Sequence, residues 1–272
     1  MKDLQNNSKN FDNRPIGFFD SGVGGLTVLD KVQKLLPNEN YIYFGDTKNM
    51  PYGEKSEAQL LNFADKIFKF FENKNVKAVV MACNTTSAVT YDKLKNNYNF
   101  KIYPIIQSVS KVLSKMDIKN IGIFATDATI NSHCYKKEIT KYNSNINVYE
   151  IACPEWVKIV EDSQEGTSES DKLVKEKLDE MLKNSPDKIV LGCTHYPYLI
   201  DTLAKFAQKD LFIDPAINFA QYIKEDMKKY NMLSSSNDAA SFEFYVSSSP
   251  ENFKIAGEMF FDMKKAKINL TY

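Results

Sequence analysis

The chain has 272 residues, 43% of them apolar, with 35 Lys and Arg against 35 Asp and Glu. That length accommodates two modest α/β units with real cores, and the balanced charge lacks the basic excess or stripe of a nucleic-acid binder. No apolar run approaches the roughly 20 residues that span a bilayer, so membrane and nucleic-acid partners are both excluded as expectations. The polar stretch 1–13 has no signal-peptide pattern and reads as a loose tail on a soluble cytoplasmic protein.

In chain order, short apolar runs alternate with amphipathic stretches. Strands are expected at 16–19, 41–44, 78–81, 101–106, 121–124, 147–151, 188–191 and 211–213, from their β-branched and aromatic content. Ser56 and Gln59 have the form of a capping box opening a helix over 56–75, with Leu60, Ala64, Ile67 and Phe71 on one face. A second helix is expected over 170–184, with Leu173, Leu178, Met181 and Leu182 inward. Such alternation predicts parallel strands with crossover helices. "GFFDS" and "KAVVMACNT" recur about 105 to 110 residues later as "GIFAT" and "KIVLGCTH", with "YIYFGD" and "VYEIAC" in the same order between them. The fold class is therefore α/β, built as two similar halves. Ligands of open parallel sheets bind outside the carboxyl ends of the strands, so facing halves bring both strand-end cysteines into one cleft.

Those cysteines are Cys83 and Cys193; Cys134 and Cys153 read as packed small residues. No zinc-ligand spacing is present, and disulfides are not expected. Cys83 and Cys193 each end a strand and precede an expected helix. The helix N-terminus, with Asn84, Thr85, Thr86 and Thr194 as donors, is expected to move a thiol from its ordinary value near about 8.5 toward neutral. Two thiols across one ligand suit either a redox disulfide or removal of a proton from one face of a carbon and delivery to the other. "FFDSGVGGLTV" (18–28) lacks the full dinucleotide glycine pattern. It reads as a tight turn needing positive φ or as a loop whose N–H groups hold a carboxylate, and Asp20 could meet an amine or a thiol. His195 could serve Cys193 as acid, base or charge partner. Glu161 taken alone is a solvated acid, and "FGDTKNMPYGEKS" (44–56) taken alone is a loop.

Together "FDSGVGGLTV", "YFGDTKNMPYGEKS", "MACNTTSA", "ATDATINSHCY", "ACPEWVKIVE" and "LGCTHYPYL" resemble glutamate racemase, of the cofactor-independent aspartate/glutamate racemase superfamily, over about residues 15–224. The resemblance implies two pseudosymmetric α/β domains, 14–107 completed by 217–272 and 108–216, with the active site between them. It implies interconversion of L- and D-glutamate without pyridoxal phosphate, other cofactor or metal, supply of D-glutamate to peptidoglycan synthesis, and a homodimer. It places the catalytic thiols on Cys83, facing D-glutamate, and Cys193, facing L-glutamate, with auxiliary acid–base residues on Asp20, Glu161 and His195. Substrate binding falls on Asp20, Ser21, Pro51, Tyr52, Gly53, Asn84, Thr85, Thr126, Thr129 and Thr194. The chain departs from the family pattern at Ala125, where Gly is usual, and at Lys158, where Pro is frequent. The alternatives are an aspartate racemase of the superfamily, a one-thiol decarboxylase of the same fold, a non-catalytic amino-acid-binding protein and a thiol redox protein.

Overall fold

The structure is a computed structural model and describes residues 11–271. Among the described residues ten strands form two sheets, parallel throughout. The first contains β1 (Ile16–Asp20), β2 (Tyr41–Gly45), β3 (Ala78–Met81), β4 (Lys101–Pro104), β9 (Phe242–Val246) and β10 (Ile268–Leu270), in the order β10-β9-β2-β1-β3-β4. The second contains β5 (Asn120–Ala125), β6 (Asn147–Ala152), β7 (Lys188–Leu191) and β8 (Phe212–Ile213), in the order β6-β5-β7-β8. The order 2-1-3-4 of the first sheet thus recurs in the second, in the pairing that the sequence repeat implied. In each sheet the order reverses beside the first strand, and the crevice at that switch point opens between β1 and β3 and between β5 and β7.

The sheets differ from expectation at particular residues. β4 stops at Pro104, which lacks the N–H needed to extend the ladder, and Ile105 and Ile106 instead begin the helix Ile105–Leu113 with both side chains buried. β9 and β10 were not anticipated; β9 pairs with β2 from Tyr41↔Phe242 to Gly45↔Val246. The helix Glu57–Asn73 carries both bonds of the Ser56–Gln59 capping box, and Leu60, Ala64, Ile67 and Phe71 are buried. The helix Ser168–Leu182 is capped by Thr167 and buries Val174, Leu178 and Met181. Leu173 is only half-buried and Leu182 is exposed, because the buried stripe runs through Val174. Cys134, the first residue of the helix Cys134–Tyr142, and Cys153 are both buried, as expected of packed small residues.

At the end of the first sheet away from the switch crevice, Lys77 is fully buried and pairs with Glu39 at 2.5 Å. Its Nζ also donates to the Asp12 carbonyl at 2.6 Å, and Glu39 accepts from the Ser234 amide at 2.8 Å. Asn13 Oδ1 accepts from the Ser234 hydroxyl and the Ser235 amide. One ion pair thus ties together the entry to β3, the loop before β2 and the return from the C-terminal segment. Residues 1–10 of the expected loose tail lie outside the described residues, while Asp12 and Asn13 are held in this network.

A buried charge stripped of its partner is strongly destabilising, whereas an apolar pair in the same place is tolerated. Lys77→Met is expected to lower unfolding free energy by about 3–5 kcal/mol in urea denaturation. The double variant Lys77→Met, Glu39→Met is expected to regain most of that loss. Equal losses in both variants would show that the ion pair is not the tie.

Candidate active site

Cys83 lies two residues past β3 and is the N-cap of the helix Asn84–Leu94; Cys193 lies two residues past β7. One small cavity between the sheets is lined by Cys83 and Cys193 together with Ser21, Pro51, Tyr52, Gly53, Asn84, Thr85, Thr126, Glu161, Thr194 and His195. Two further expected residues sit just behind it. Asp20, last in β1, is fully buried, and Thr129 bonds back to the Thr126 hydroxyl at 3.1 Å. Met50 and Val157 also line the cavity and carried no signal in the sequence.

The glycine loop has a different physical basis from the one expected. None of its glycines has positive φ. They are needed for close approach. A Cβ on Gly24 would lie 2.4 Å from the Thr194 hydroxyl and 2.9 Å from the His195 ring, and one on Gly53 would lie 3.2 Å from Thr126 Cβ. Both contacts join the first half to the second, so these two positions set how tightly the cleft closes. The Thr85 hydroxyl reaches the Thr126 hydroxyl at 2.9 Å across the same seam.

The loop after β2 is organised by Asp46, a buried carboxylate that the sequence reading passed over. It accepts from the Tyr52 hydroxyl at 2.5 Å, the Ser247 hydroxyl at 2.6 Å and the Asn49 amide at 2.9 Å. That network aims Pro51, Tyr52 and Gly53 at the cavity and anchors the segment after β9. Tyr135 was passed over as well; its hydroxyl donates to Asn84 Oδ1 at 2.8 Å. The Asn84 amide nitrogen and Asp20 Oδ1 are buried without hydrogen-bond partners, one a free donor and the other a free acceptor beside the cleft. Asp20 Oδ2 accepts from the Gly22 amide at 3.0 Å.

The two thiols have unlike surroundings. Burial pushes the Cys83 thiol up to about 12, helped by the charge of Asp20 and opposed by donors of Thr86 at the helix N-terminus. The expected shift toward neutral is therefore reversed at Cys83: desolvation outweighs the helix end. Cys134 is also pushed up to about 12 by burial, so what distinguishes Cys83 is its place on the cavity. Cys193 is followed by a turn of 3-10 helix, Tyr196–Leu199, rather than an immediate α-helix. Its partner is His195, whose Nδ1 lies 3.8 Å from the sulfur. On the far side of the ring, Nε2 lies 3.3 Å from Glu161 Oε1, an ion-pair contact that is not a hydrogen bond. Burial works to lower the pKa of His195, but contact with Cys193 and Glu161 outweighs it and pushes the imidazole up to about 10. Asp20 is raised by burial, with the charge of His195 and nearby N–H groups acting against the rise.

Glu161 reaches His195 because the helix Glu155–Glu161 is clamped at Trp156. That buried ring packs on Phe124 and Tyr196, and the Tyr196 hydroxyl donates to the Cys153 carbonyl at 2.6 Å. All four cysteines are free thiols. No group of metal-ligating side chains occurs among the described residues.

Two matched parallel sheets each present one buried thiol to a shared cleft. Residues 20–222 match the family described as Asp/Glu/Hydantoin racemase, and the chain belongs to that family. It is 42% identical to glutamate racemase 2 of Caldanaerobacter subterraneus subsp. tengcongensis over 91% of this chain and 93% of that one. Among solved structures it is similar to glutamate racemase from Francisella tularensis in complex with D-glutamate, with 34% identity, a TM-score of 0.89, and 96% and 98% of the two chains covered. The isoform RacE1 from Bacillus anthracis gives 27% identity and a TM-score of 0.90 over the same shares of the two chains. The chain is thus an amino-acid racemase, an isomerase.

A methyl group at residue 24 would push the Thr194–His195 segment away from the first half. Gly24→Ala is expected to lower racemisation kcat/KM by about 100-fold, the scale of a 1 Å misplacement, with an unchanged circular dichroism spectrum. Retention of parental kinetics would show that the halves do not need this contact.

Proposed function

We propose that the chain is a glutamate racemase in which Cys193 removes the Cα proton of L-glutamate and Cys83 supplies the proton that forms D-glutamate, the roles reversing for the opposite direction. The observation that carries this reading is the pair of thiols, with unlike neighbours, on one small cavity. Two-base inversion needs one thiol protonated, to deliver a proton, and the other ionised, to accept one, and burial keeps Cys83 in the protonated state. At Cys193 the positive charge on His195 offsets the negative charge that the sulfur carries once its proton is gone.

The remaining residues fit a zwitterionic substrate. The free Asp20 Oδ1 is suited to the ammonium group. The free Asn84 amide and the hydroxyls of Ser21, Thr85, Thr126 and Thr194 are suited to carboxylates, whose enediolate-like form they stabilise as the proton leaves. Thr129 holds Thr126, while Pro51, Tyr52 and Gly53 shape the side-chain end. The cavity is about 40 Å³, room for roughly one water, so glutamate enters by a parting of the two halves. Closure around the substrate then excludes water and strengthens each of these interactions.

The two separate sheets support a division into domains 14–107 with 217–272 and 108–216. No helix among the described residues is long and apolar enough to cross a membrane, which fits the proposed cytoplasmic role in supplying D-glutamate for peptidoglycan and cell shape. The C-terminal segment exposes Ile255, Met259 and Leu270, apolar surface that fits the proposed homodimer. Light scattering of the eluted protein at twice the chain mass would support that assembly, and a monomer mass would contradict it.

Cys83→Ser and Cys193→Ser are each expected to remove most racemisation in both directions while the fold is kept. Near-parental turnover in either would overturn the two-base assignment. The pH dependence follows from His195, which carries its proton below about 10 and loses it above. The kcat/KM for L-glutamate is therefore expected to hold through neutral pH and to fall as pH rises through about 10, and His195→Asn is expected to remove that limb. A limb unchanged in His195→Asn would assign it to another group.

A further inference from the structure

Asn84 is the first residue of the helix Asn84–Leu94, and Tyr135 is the second of the helix Cys134–Tyr142. The first helix follows β3 and the second belongs to the half built on β5. The bond from the Tyr135 hydroxyl to Asn84 Oδ1 at 2.8 Å therefore joins the two halves beside the thiols. Tyr135 is fully buried and Asn84 is 3% exposed. The Tyr135 ring also lies against the backbone just before Cys193, where a Cβ on Gly192 would stand 3.1 Å from it. One turn along from Asn84, Gln107 ties the same two helices together. It accepts from the Ser87 hydroxyl at 2.8 Å, donates to the Ser87 carbonyl at 3.2 Å and reaches Cys134 Sγ at 3.4 Å. Burial pushes the Tyr135 phenol up, and the charges of Cys134 and Cys193 act the same way, so the hydroxyl keeps a proton to donate.

An asparagine amide has two settings of nearly the same shape that exchange its oxygen and its nitrogen, and its partners decide between them. Here Oδ1 is taken by Tyr135, while Nδ2 is a buried donor without a partner, on a residue that lines the small cavity. Turned over, the amide would set Nδ2 on the phenol oxygen, take the acceptor from the phenol proton and present an oxygen where the donor had been. Resting on the reading of Asn84 as a substrate-binding residue, we propose that Tyr135 is a positioning residue that holds the Asn84 N–H group towards the ligand and so makes the site prefer a carboxylate to a carboxamide at that point. An amide oxygen facing a carboxylate repels it, and a buried polar group left unpaired costs its full desolvation. The setting of this one amide thus separates glutamate from its monoamides.

The test is discrimination between glutamate and its two monoamides, glutamine and isoglutamine, read as the ratio of each amide's inhibition constant to the KM of L-glutamate. In Tyr135→Phe the Asn84 amide is free to turn over. Racemisation kcat/KM is expected to fall by about 10-fold in both directions, the lower end for one hydrogen bond to a charged group. The ratio is expected to fall by about 10-fold for the monoamide whose carboxamide meets Asn84. In an Asn84→Ala background, Tyr135→Phe is expected to cost nothing further, because it acts through Asn84. Unchanged ratios for both monoamides, or a Tyr135→Phe loss that adds in full to that of Asn84→Ala, mark a packing role and overturn the proposal. Should Tyr135→Phe fail to fold, Asn84→Asp decides, since it keeps an acceptor for Tyr135 and presents oxygen to the ligand. A lowered ratio for one monoamide then upholds the proposal, and parental ratios overturn it. Parental kinetics in Asn84→Ala would instead overturn the underlying placement of Asn84 on the substrate.

Discussion

A sulfur that is to accept a proton must be able to carry charge, and this cleft buries both sulfurs. Desolvation is the dominant force at the site: it keeps Cys83 a thiol and acts against the charged form of His195 and Asp20 alike. On the Cys193 side it is overcome by short-range contact, with the imidazole between a thiol and a carboxylate. Two cysteines that occupy equivalent places in duplicated halves thus have different neighbours, Asp20 beside Cys83 and His195 beside Cys193. The backbone fold alone would make them alike.

The duplicated strand order puts the thiols within reach of one ligand. Because β1–β4 and β5–β8 share the order 2-1-3-4, the ends of β3 and β7 fall at equivalent switch points and face each other. The approach is then set by atoms rather than by topology. Gly24 and Gly53 remove the side chains that would hold the halves apart, and the Thr85–Thr126 bond joins them. Asp46 fixes the loop that supplies Tyr52 to the cleft and ties it to the C-terminal segment, while the Lys77–Glu39 pair makes a second tie at the opposite end of the sheet.

Much of this was legible in the sequence because strand ends are written locally. "VVMACN" and "IVLGCT" each give an apolar run that stops at a thiol, and the repeat relates them. The capping box at Ser56 was equally local. What stayed hidden depends on tertiary contact. Glu161 taken alone is a solvated acid, and only the family resemblance points to it, because nothing in its own helix shows that Trp156 clamps that helix beside His195. Asp46 and Tyr135 act through hydrogen bonds across the fold and leave no spacing to detect. The protonation of Cys83 follows burial, which a sequence does not display, rather than the helix-end donors, which it does. The strand "FEFYV" is a different case: its aromatic and β-branched content was available, and it went unread as the outer neighbour of β2.

The most direct test of the account is proton NMR of the protein with L-glutamate, and separately L-aspartate, in D2O without added cofactor, following the Cα proton signal together with optical rotation. The account predicts that the Cα signal and the rotation of glutamate are both lost while aspartate is unchanged. Glutamate recovered with its Cα proton intact and fully L would contradict it, whatever the cleft binds.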